Sequence, residues 1–206
     1  MSNPWLSIPL EDYEGHMGSE DVRQLHALSE LFRCALEVCR PHSVAVLGVA
    51  GGNGLDQIDS SITERIVGID INPVYLEEVR RRFGSRSGLE LHCLDLAGST
   101  LQVAPVELVH AALIFEHTGT DRALENALAM VAPGGKFSVV LQLPAGEQEV
   151  IRTRYPSIET VAQDFRWIDT NGFQHSIARR GWYPMGQEQR PLPGGKAFWW
   201  GLFGSG

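Results

Sequence analysis

Lysine is nearly missing from this chain: of its 17 cationic side chains only Lys136 and Lys196 are lysine. That leaves little support for chemistry through a Schiff-base lysine. Cysteine is also sparse. Cys34, Cys39 and Cys93 are odd in number and show no C-x-x-C spacing, so neither a disulfide framework nor a zinc ribbon is indicated, and a reducing cytoplasm is the default. A positive balance is absent too. With 17 Lys and Arg against 25 Asp and Glu the formal charge is −8, and without a clustered basic face neither nucleic acid nor an anionic membrane is the expected partner. No apolar run approaches the ~18 residues a membrane helix needs. The opening MSNPWLSIPLEDYEG is acidic and lacks the charged start and apolar core of a signal peptide. The expectation is a soluble cytoplasmic protein, whose 206 residues suffice to bury ~70% of the unfolded surface without covalent staples.

What is present is an alternation of strand and helix patterns. Residues 1–18, with Pro4, Pro9, Gly15 and Gly18, read as an irregular arm. A helix follows from about Ser19, with Ser19 as its cap, Glu20 and Asp21 in the first turn, and apolar residues at helical spacing from Val22 to Cys39. Pro41 ends it. Ser43–Val49 is apolar on both faces, as a central parallel strand must be. It leads into Ala50-Gly-Gly-Asn-Gly54 and a short polar segment able to form a helix. A second strand, Arg65–Asp70, precedes Asn72-Pro73, a cap and first-turn proline that announce another helix. Its Arg80-Arg81-Arg82 end reads as a solvated terminus. Further strands are expected at Leu89–Leu94, Leu108–Leu113 and Phe137–Leu143, with a helix at Thr120–Val131 stopped by Pro133-Gly134-Gly135. Beyond Pro144 come helical candidates near 157–166 and 171–180. Two strand-like runs, Trp182–Gln187 and Ala197–Phe203, are joined by the turn at 191–195 as a hairpin. In the second of them Trp199 and Trp200 should face opposite sides.

The pattern predicts an α/β fold: a doubly wound, mostly parallel, Rossmann-like sheet of seven strands, with a C-terminal antiparallel hairpin and an N-terminal helical arm. One domain spans 1–206, with the arm and first helix in 1–40, a cofactor-binding core in 43–143, and C-terminal strands with acceptor-side elements in 144–206. Ligands of such sheets bind beyond the carboxyl ends of the strands. There, Gly48, Gly51, Gly52 and Gly54 crowd the first turn, where glycine allows positive φ and close backbone approach. Asp70 ends the second strand, placed to accept both hydroxyls of a ribose, and Asp95 ends the third, placed to accept from an adenine amino group.

In order, Val46-Leu-Gly-Val-Ala-Gly-Gly-Asn-Gly54, Val67-Gly-Ile-Asp-Ile-Asn-Pro73, Leu91-His-Cys-Leu-Asp95, Glu107-Leu-Val-His-Ala-Ala-Leu-Ile-Phe-Glu-His117 and Val131-Ala-Pro-Gly-Gly135 resemble the motifs of the class I S-adenosylmethionine-dependent methyltransferases. The resemblance covers about half the chain. It implies S-adenosylmethionine as cofactor, with the methionine portion cradled by the backbone of Ala50, Gly51, Gly52, Asn53 and Gly54. It further implies the ribose on Asp70, the adenine beside Ile71, with Asn72 following, and Asp95 with Leu96 at the adenine edge. His110, Ala111 and Ala112 would line the methyl end. Two departures stand out: Gly48 where the family usually carries an acid, and Ala50 where it carries glycine.

An NAD(P)-dependent oxidoreductase fits less well, since G-x-G-x-x-G and Tyr-x-x-x-Lys are both absent. An aminopropyltransferase would need an acid where His110-Ala111-Ala112 stands. A non-catalytic binding protein for the cofactor or its demethylated product is the alternative of a different class. Methyl transfer needs mainly orientation, and a base only if the acceptor loses a proton. Candidates for that role are Tyr13 and His16 in the arm, which would fold over the cofactor as a lid, Glu116-His117 after the fourth strand, and His175. The spacing of His16, Glu116 and His117 fits no metal motif, so no metal is expected. The expected acceptor is a small molecule whose pocket is built from residues 1–20, 113–120 and 145–185. No feature of the sequence fixes the oligomeric state.

Overall fold

Runs of β-branched and aromatic residues form seven strands: β1 (Ser43–Leu47), β2 (Arg65–Asp70), β3 (Leu89–Cys93), β4 (Val106–Ala112), β5 (Val131–Leu143), β6 (Trp182–Pro191) and β7 (Ala197–Ser205). The computed structural model describes residues 3–98, 101–144, 153–162 and 164–206. The strands make one sheet in the order β3-β2-β1-β4-β5-β7-β6, parallel from β3 through β5, with β7 antiparallel to both its neighbours. The strand order reverses between β1 and β4, and that is where a doubly wound sheet opens a crevice at its carboxyl edge.

The helices are α1 (Leu10–Gly18), α2 (Gln24–Cys39), α3 (Pro73–Phe83), α4 (Phe115–Thr118), α5 (Arg122–Ala129), α6 (Pro156–Ala162) and α7 (Thr170–Ala178). Side chains alternate across the strands. Val44, Val46, Leu108 and Val140 bury against α2 and α3, whereas Ala45, Leu47, Val109 and Val139 bury against α5 and α7. As expected, Trp199 and Trp200 divide between these two cores. Gly201 lies between Trp199 and Phe203: a Cβ there would stand 2.6 Å from the Trp199 ring and 2.8 Å from Phe203. Deep in the α2 core the indole of Trp200 donates to the Ser138 hydroxyl at 2.9 Å, which in turn lies 2.9 Å from His110 Nδ1.

Four local expectations change. The N-terminal arm is not irregular, because Leu10–Gly18 is helical, opened by Pro9 and favoured by Glu11 and Asp12 in its first turn. Gly15 sits inside that helix as a packing residue, since a Cβ there would collide with the Tyr155 hydroxyl. Ser19 closes α1 rather than opening α2. Its amide and hydroxyl both donate to the His16 carbonyl, and α2 starts only at Gln24, after Arg23 in the left-handed region. The polar stretch after Gly54 forms a single 3-10 turn, Leu55–Gln57. Finally, Pro133-Gly134-Gly135 bulges out of β5, whose pairing jumps from Val106↔Val131 to Leu108↔Lys136. Asn72 caps α3 as its sequence announces, accepting from the Val74 amide at 2.9 Å. Among the described residues no helix is long and apolar enough to cross a membrane.

Glu116 ties α4 to the end of β5. It is 0% exposed. Its Oε1 accepts from the Gln142 amide at 2.8 Å, while Oε2 is buried without a hydrogen-bond partner. Burial pushes its pKa up to about 7, because desolvation penalises the charged form. A carboxyl whose pKa rises on folding holds its proton more tightly in the native state. The stability it contributes is full below the ordinary value of 4.5 and is lost as pH climbs through about 7. Urea unfolding of Glu116→Gln at pH 5 and pH 8 should therefore show the variant gaining on the order of 1–3 kcal/mol relative to wild type over that interval. A difference independent of pH would mean that Glu116 does not titrate in the native protein.

Candidate active site

The carboxyl ends of β1, β2 and β4 open into a cavity of about 160 Å³, more than ten times the ~10–15 Å³ one water requires. On the β2 and β3 side it is lined by Asp70, Ile71, Leu94, Asp95 and Leu96. Asp70 is buried, and each of its oxygens holds a backbone amide: Ala50 N–H donates to Oδ2 and Asn72 N–H to Oδ1, both at 2.9 Å. Desolvation raises its pKa and these amides pull it back. A carboxylate oxygen accepts more than one hydrogen bond, so Asp70 keeps acceptor capacity toward the cavity it lines. Asp95 is exposed and accepts from the Ala97 amide at 2.9 Å.

In the middle, at the end of β1, the chain is bent tightly. Gly48 takes φ +71, and a Cβ there would meet the Ile114 side chain at 2.9 Å. Ala50 takes φ +46, and Leu113, at the end of neighbouring β4, φ +53. Both are non-glycine residues in the left-handed region, and both line the cavity. Such conformations cost about 1–2 kcal/mol each and concentrate at functional sites.

The β4 side is built from polar and aromatic groups, with Lys196 among them. Tyr13, His16, Gln24, His117 and Gln142 all line it. Burial lowers the pKa of His117 to about 4 and, together with the charge of Lys196, lowers that of His16; it raises that of Tyr13. Near neutral pH the two imidazoles are thus unprotonated and the phenol is intact. The His117 ring meets Trp5 edge-on at 4.8 Å and Phe165 at 5.5 Å, and its Nδ1 is buried without a hydrogen-bond partner.

The N-terminal segment roofs the cavity and is pinned by α3. Asn72 Nδ2 donates to the Trp5 carbonyl at 2.8 Å and the Tyr75 hydroxyl to the Ile8 carbonyl at 3.0 Å. Arg82 forms a two-pronged ion pair with Glu14 and also donates to the Gly51 carbonyl. Asp12 accepts from the Ser157 hydroxyl of α6. Within Tyr13-Glu14-Gly15-His16, then, Tyr13 and His16 face the cavity, Glu14 clasps Arg82, and Gly15 packs on Tyr155.

The cavity brings together Tyr13, His16 and His117 with Gly48, Ala50, Asp70, Ile71, Asp95, Leu96 and Ala112. It leaves out the rest of the glycine turn. Gly51 lies beneath Glu14, Gly52 against Phe83 and Gly54 against Phe32, while Asn53 donates to the Leu25 carbonyl. These residues serve helix packing, because the chain has already turned away from the sheet edge. Asn72 likewise spends its side chain on the α3 cap and on Trp5. Ala111 is buried in the α5 core, and His110 stacks on Phe32 on the opposite face. Both lie inside β4 rather than at its end, which is why only Ala112 reaches the cavity. His175 is exposed on α7, its Nδ1 2.8 Å from the Asn171 carbonyl oxygen. Of the segments expected to build the acceptor pocket, residues 145–152 lie outside the described residues. Gln24, Gln142 and Lys196 line the cavity without belonging to any of those segments. No local pattern marks them; only the pairing of β5 with β7 and the seating of α2 bring them there. Among the described residues no group of three His, Cys, Asp or Glu side chains could hold a metal ion.

Residues 44–135 match a family model described as a methyltransferase domain. A comparison with curated proteins found no match. Among solved structures, the chain is similar to the N-methyltransferase NodS from Bradyrhizobium japonicum WM9 in complex with S-adenosyl-L-homocysteine, at 16% identity and a TM-score of 0.69, covering 99% of both chains. It is similar to magnesium protoporphyrin IX methyltransferase from Synechocystis PCC 6803 with the same ligand, at 9% identity and a TM-score of 0.73, over 98% of this chain and 96% of that one. The [4+2]-cyclase SpnF shares the fold as well, at 13% identity and a TM-score of 0.67, over 89% and 82% of the two chains. With its sheet order and its carboxyl-edge cavity the chain has the Rossmann-like fold of these methyltransferases, and residues 44–135 are similar to a methyltransferase domain.

Proposed function

We propose that the chain transfers a methyl group from S-adenosylmethionine to a small-molecule acceptor. The observation that carries this reading is the division of one roofed cavity into two chemically different ends. Two carboxylates, Asp70 and Asp95, with apolar walls face β2 and β3, and Tyr13, His16 and His117, with Lys196, face β4. The first end suits an adenosine. Asp70 would accept from the ribose hydroxyls, Ile71 and Leu96 would flank the adenine, and Asp95 would take its amino group. The backbone at Gly48 and Ala50 would follow the methionine portion. The acid missing at position 48 is offset locally, since Asp70 itself fixes the turn by accepting from the Ala50 amide. S-adenosylmethionine bound there supplies an electrophilic methyl on a sulfonium and leaves as the thioether.

At the second end His16 is the best-suited base. It is neutral near pH 7 and less deeply buried than His117, whose pKa of about 4 makes it a poor proton acceptor. Tyr13, kept protonated, orients the acceptor by donating a hydrogen bond, and His117 forms a neutral polar wall. The roof of α1 excludes water from the transfer. The three free thiols and the acidic balance suit a cytoplasmic enzyme with a small acceptor, of which magnesium protoporphyrin IX, named for a protein of the same fold, is one instance. One observation favours a second reading, binding of the cofactor without methyl transfer: the same fold is found in a [4+2]-cyclase. Tight cofactor binding without turnover across a broad acceptor panel would select it.

Two measurements test the main reading. By calorimetry the wild type should bind S-adenosylhomocysteine and not NAD. Asp70→Asn should weaken that binding at least about tenfold, the scale of a hydrogen bond to a charged group; NAD binding alone would overturn the assignment. With an acceptor found by a radiolabelled methyl-transfer screen, kcat/KM should decline at pH values below the ordinary histidine value of 6.5. His16→Gln should lower the rate by about 10²–10⁴ and abolish that acidic limb. Retention of the limb in the variant would remove His16 from the role of base.

A further inference from the structure

Many cations of this protein are engaged elsewhere. Arg33, Arg65, Arg80, Arg81, Arg82, Arg122 and Arg190 each pair with a glutamate, and Lys136 donates to the Gly134 carbonyl. Lys196 differs in its place. Among the described residues it makes no ion pair, and it is the cation that lines the cavity, at the β4 end. Its backbone is held there: the Leu192 amide donates to the Lys196 carbonyl at 2.8 Å, closing the turn between β6 and β7. The following residue, Ala197, pairs with Leu143 at the end of β5. Lys196 is therefore delivered to the edge of the sheet next to Gln142 by two strand pairings, and its charge reaches His16.

The same cavity carries aromatic and apolar surface. Trp5 and Phe165 each meet His117 edge-on, and Ile158 and Val161 are part of the lining. The carboxylates of the cavity, Asp70 and Asp95, belong to the opposite end, at the tips of β2 and β3. Lys196 is half-buried at the cavity wall and makes no ion pair, so its ammonium is available to an anion entering the cavity. One positive charge with neutral histidines around it matches one negative charge. A dianionic phosphate would be left undercompensated.

Resting on the methyltransferase reading, we infer that the acceptor is an aromatic carboxylate, its ring set against the Trp5–His117–Phe165 wall of the cavity and its carboxylate held by Lys196. The carboxylate is an anchor that orients the ring; recognition by a charge at one end and by ring contacts at the other fixes both position and rotation of the acceptor.

The test uses the full chain saturated with S-adenosylhomocysteine, so that the cofactor end is filled, and titrates a panel of aromatic carboxylates and their matching carboxamides by calorimetry. Carboxylates should bind at least about tenfold more tightly than their amides, as expected for a hydrogen bond to a charged group. Lys196→Gln should erase that preference and Lys196→Arg should keep most of it, with affinity for S-adenosylhomocysteine unchanged in both. Equal binding of carboxylates and amides would overturn the inference. So would a preference that survives in Lys196→Gln, or failure of every carboxylate to bind a protein that still takes up S-adenosylhomocysteine. If the wild type does not take up S-adenosylhomocysteine at all, the methyltransferase reading falls first and this inference with it.

Discussion

The carboxylate of Asp70 accepts one hydrogen bond from the loop that leaves β1 and another from the loop that leaves β2. Two parallel strands held only by their own ladder would diverge at their ends, each loop free to choose its direction. A single buried charge that takes an amide from both removes that freedom. It also makes the left-handed turn at Ala50 tolerable, since the amide that turn exposes is the one Asp70 receives. The remainder of the site follows. Asn72, two residues on, begins α3, and α3 in turn positions the roof.

That roof is held by contacts of unequal worth. The Glu14–Arg82 pair is about one-third exposed on each side, and such pairs contribute about 0–1 kcal/mol. The hydrogen bonds from Asn72 to Trp5 and from Tyr75 to Ile8 come from side chains that are almost fully buried, so breaking either strands a polar group out of water at a cost of ~1–3 kcal/mol. The first segment of the chain is accordingly fastened along α3 mainly by carbonyl groups, with the ion pair adding orientation. Since Trp5 also touches His117, the roof and the end of β4 are in direct contact across the cavity.

Much of this was legible in the sequence, for reasons that differ by element. The central strands could be read because burial on both faces leaves no polar positions, and α3 because Asn72-Pro73 is a local signal that depends on nothing else. Asp70 was legible from its place at a strand end. The helix α1 was hidden by Pro9, Gly15 and Gly18. The proline turns out to start the helix, and the first glycine is there to admit Tyr155, a partner well over a hundred positions away in sequence. In the same way the glycine turn reads as a ligand cradle, yet Gly51, Gly52 and Gly54 serve packing against Glu14, Phe83 and Phe32. Glycine records that something comes close without saying what. Gln24, Gln142 and Lys196 were illegible because their place depends on strand register and helix seating, which are global properties.

The contact of Trp200, Ser138 and His110 has a consequence for the protons of the core. An indole nitrogen can only donate, so the Ser138 oxygen is an acceptor toward Trp200 and meets His110 Nδ1 with its proton or its second lone pair. Burial holds the pKa of the imidazole down to about 3, so no physiological pH charges it. The middle of the sheet therefore carries a polar trio without an ion, and the tryptophan of β7 is tied to β4 through a serine of β5 at no cost in buried charge.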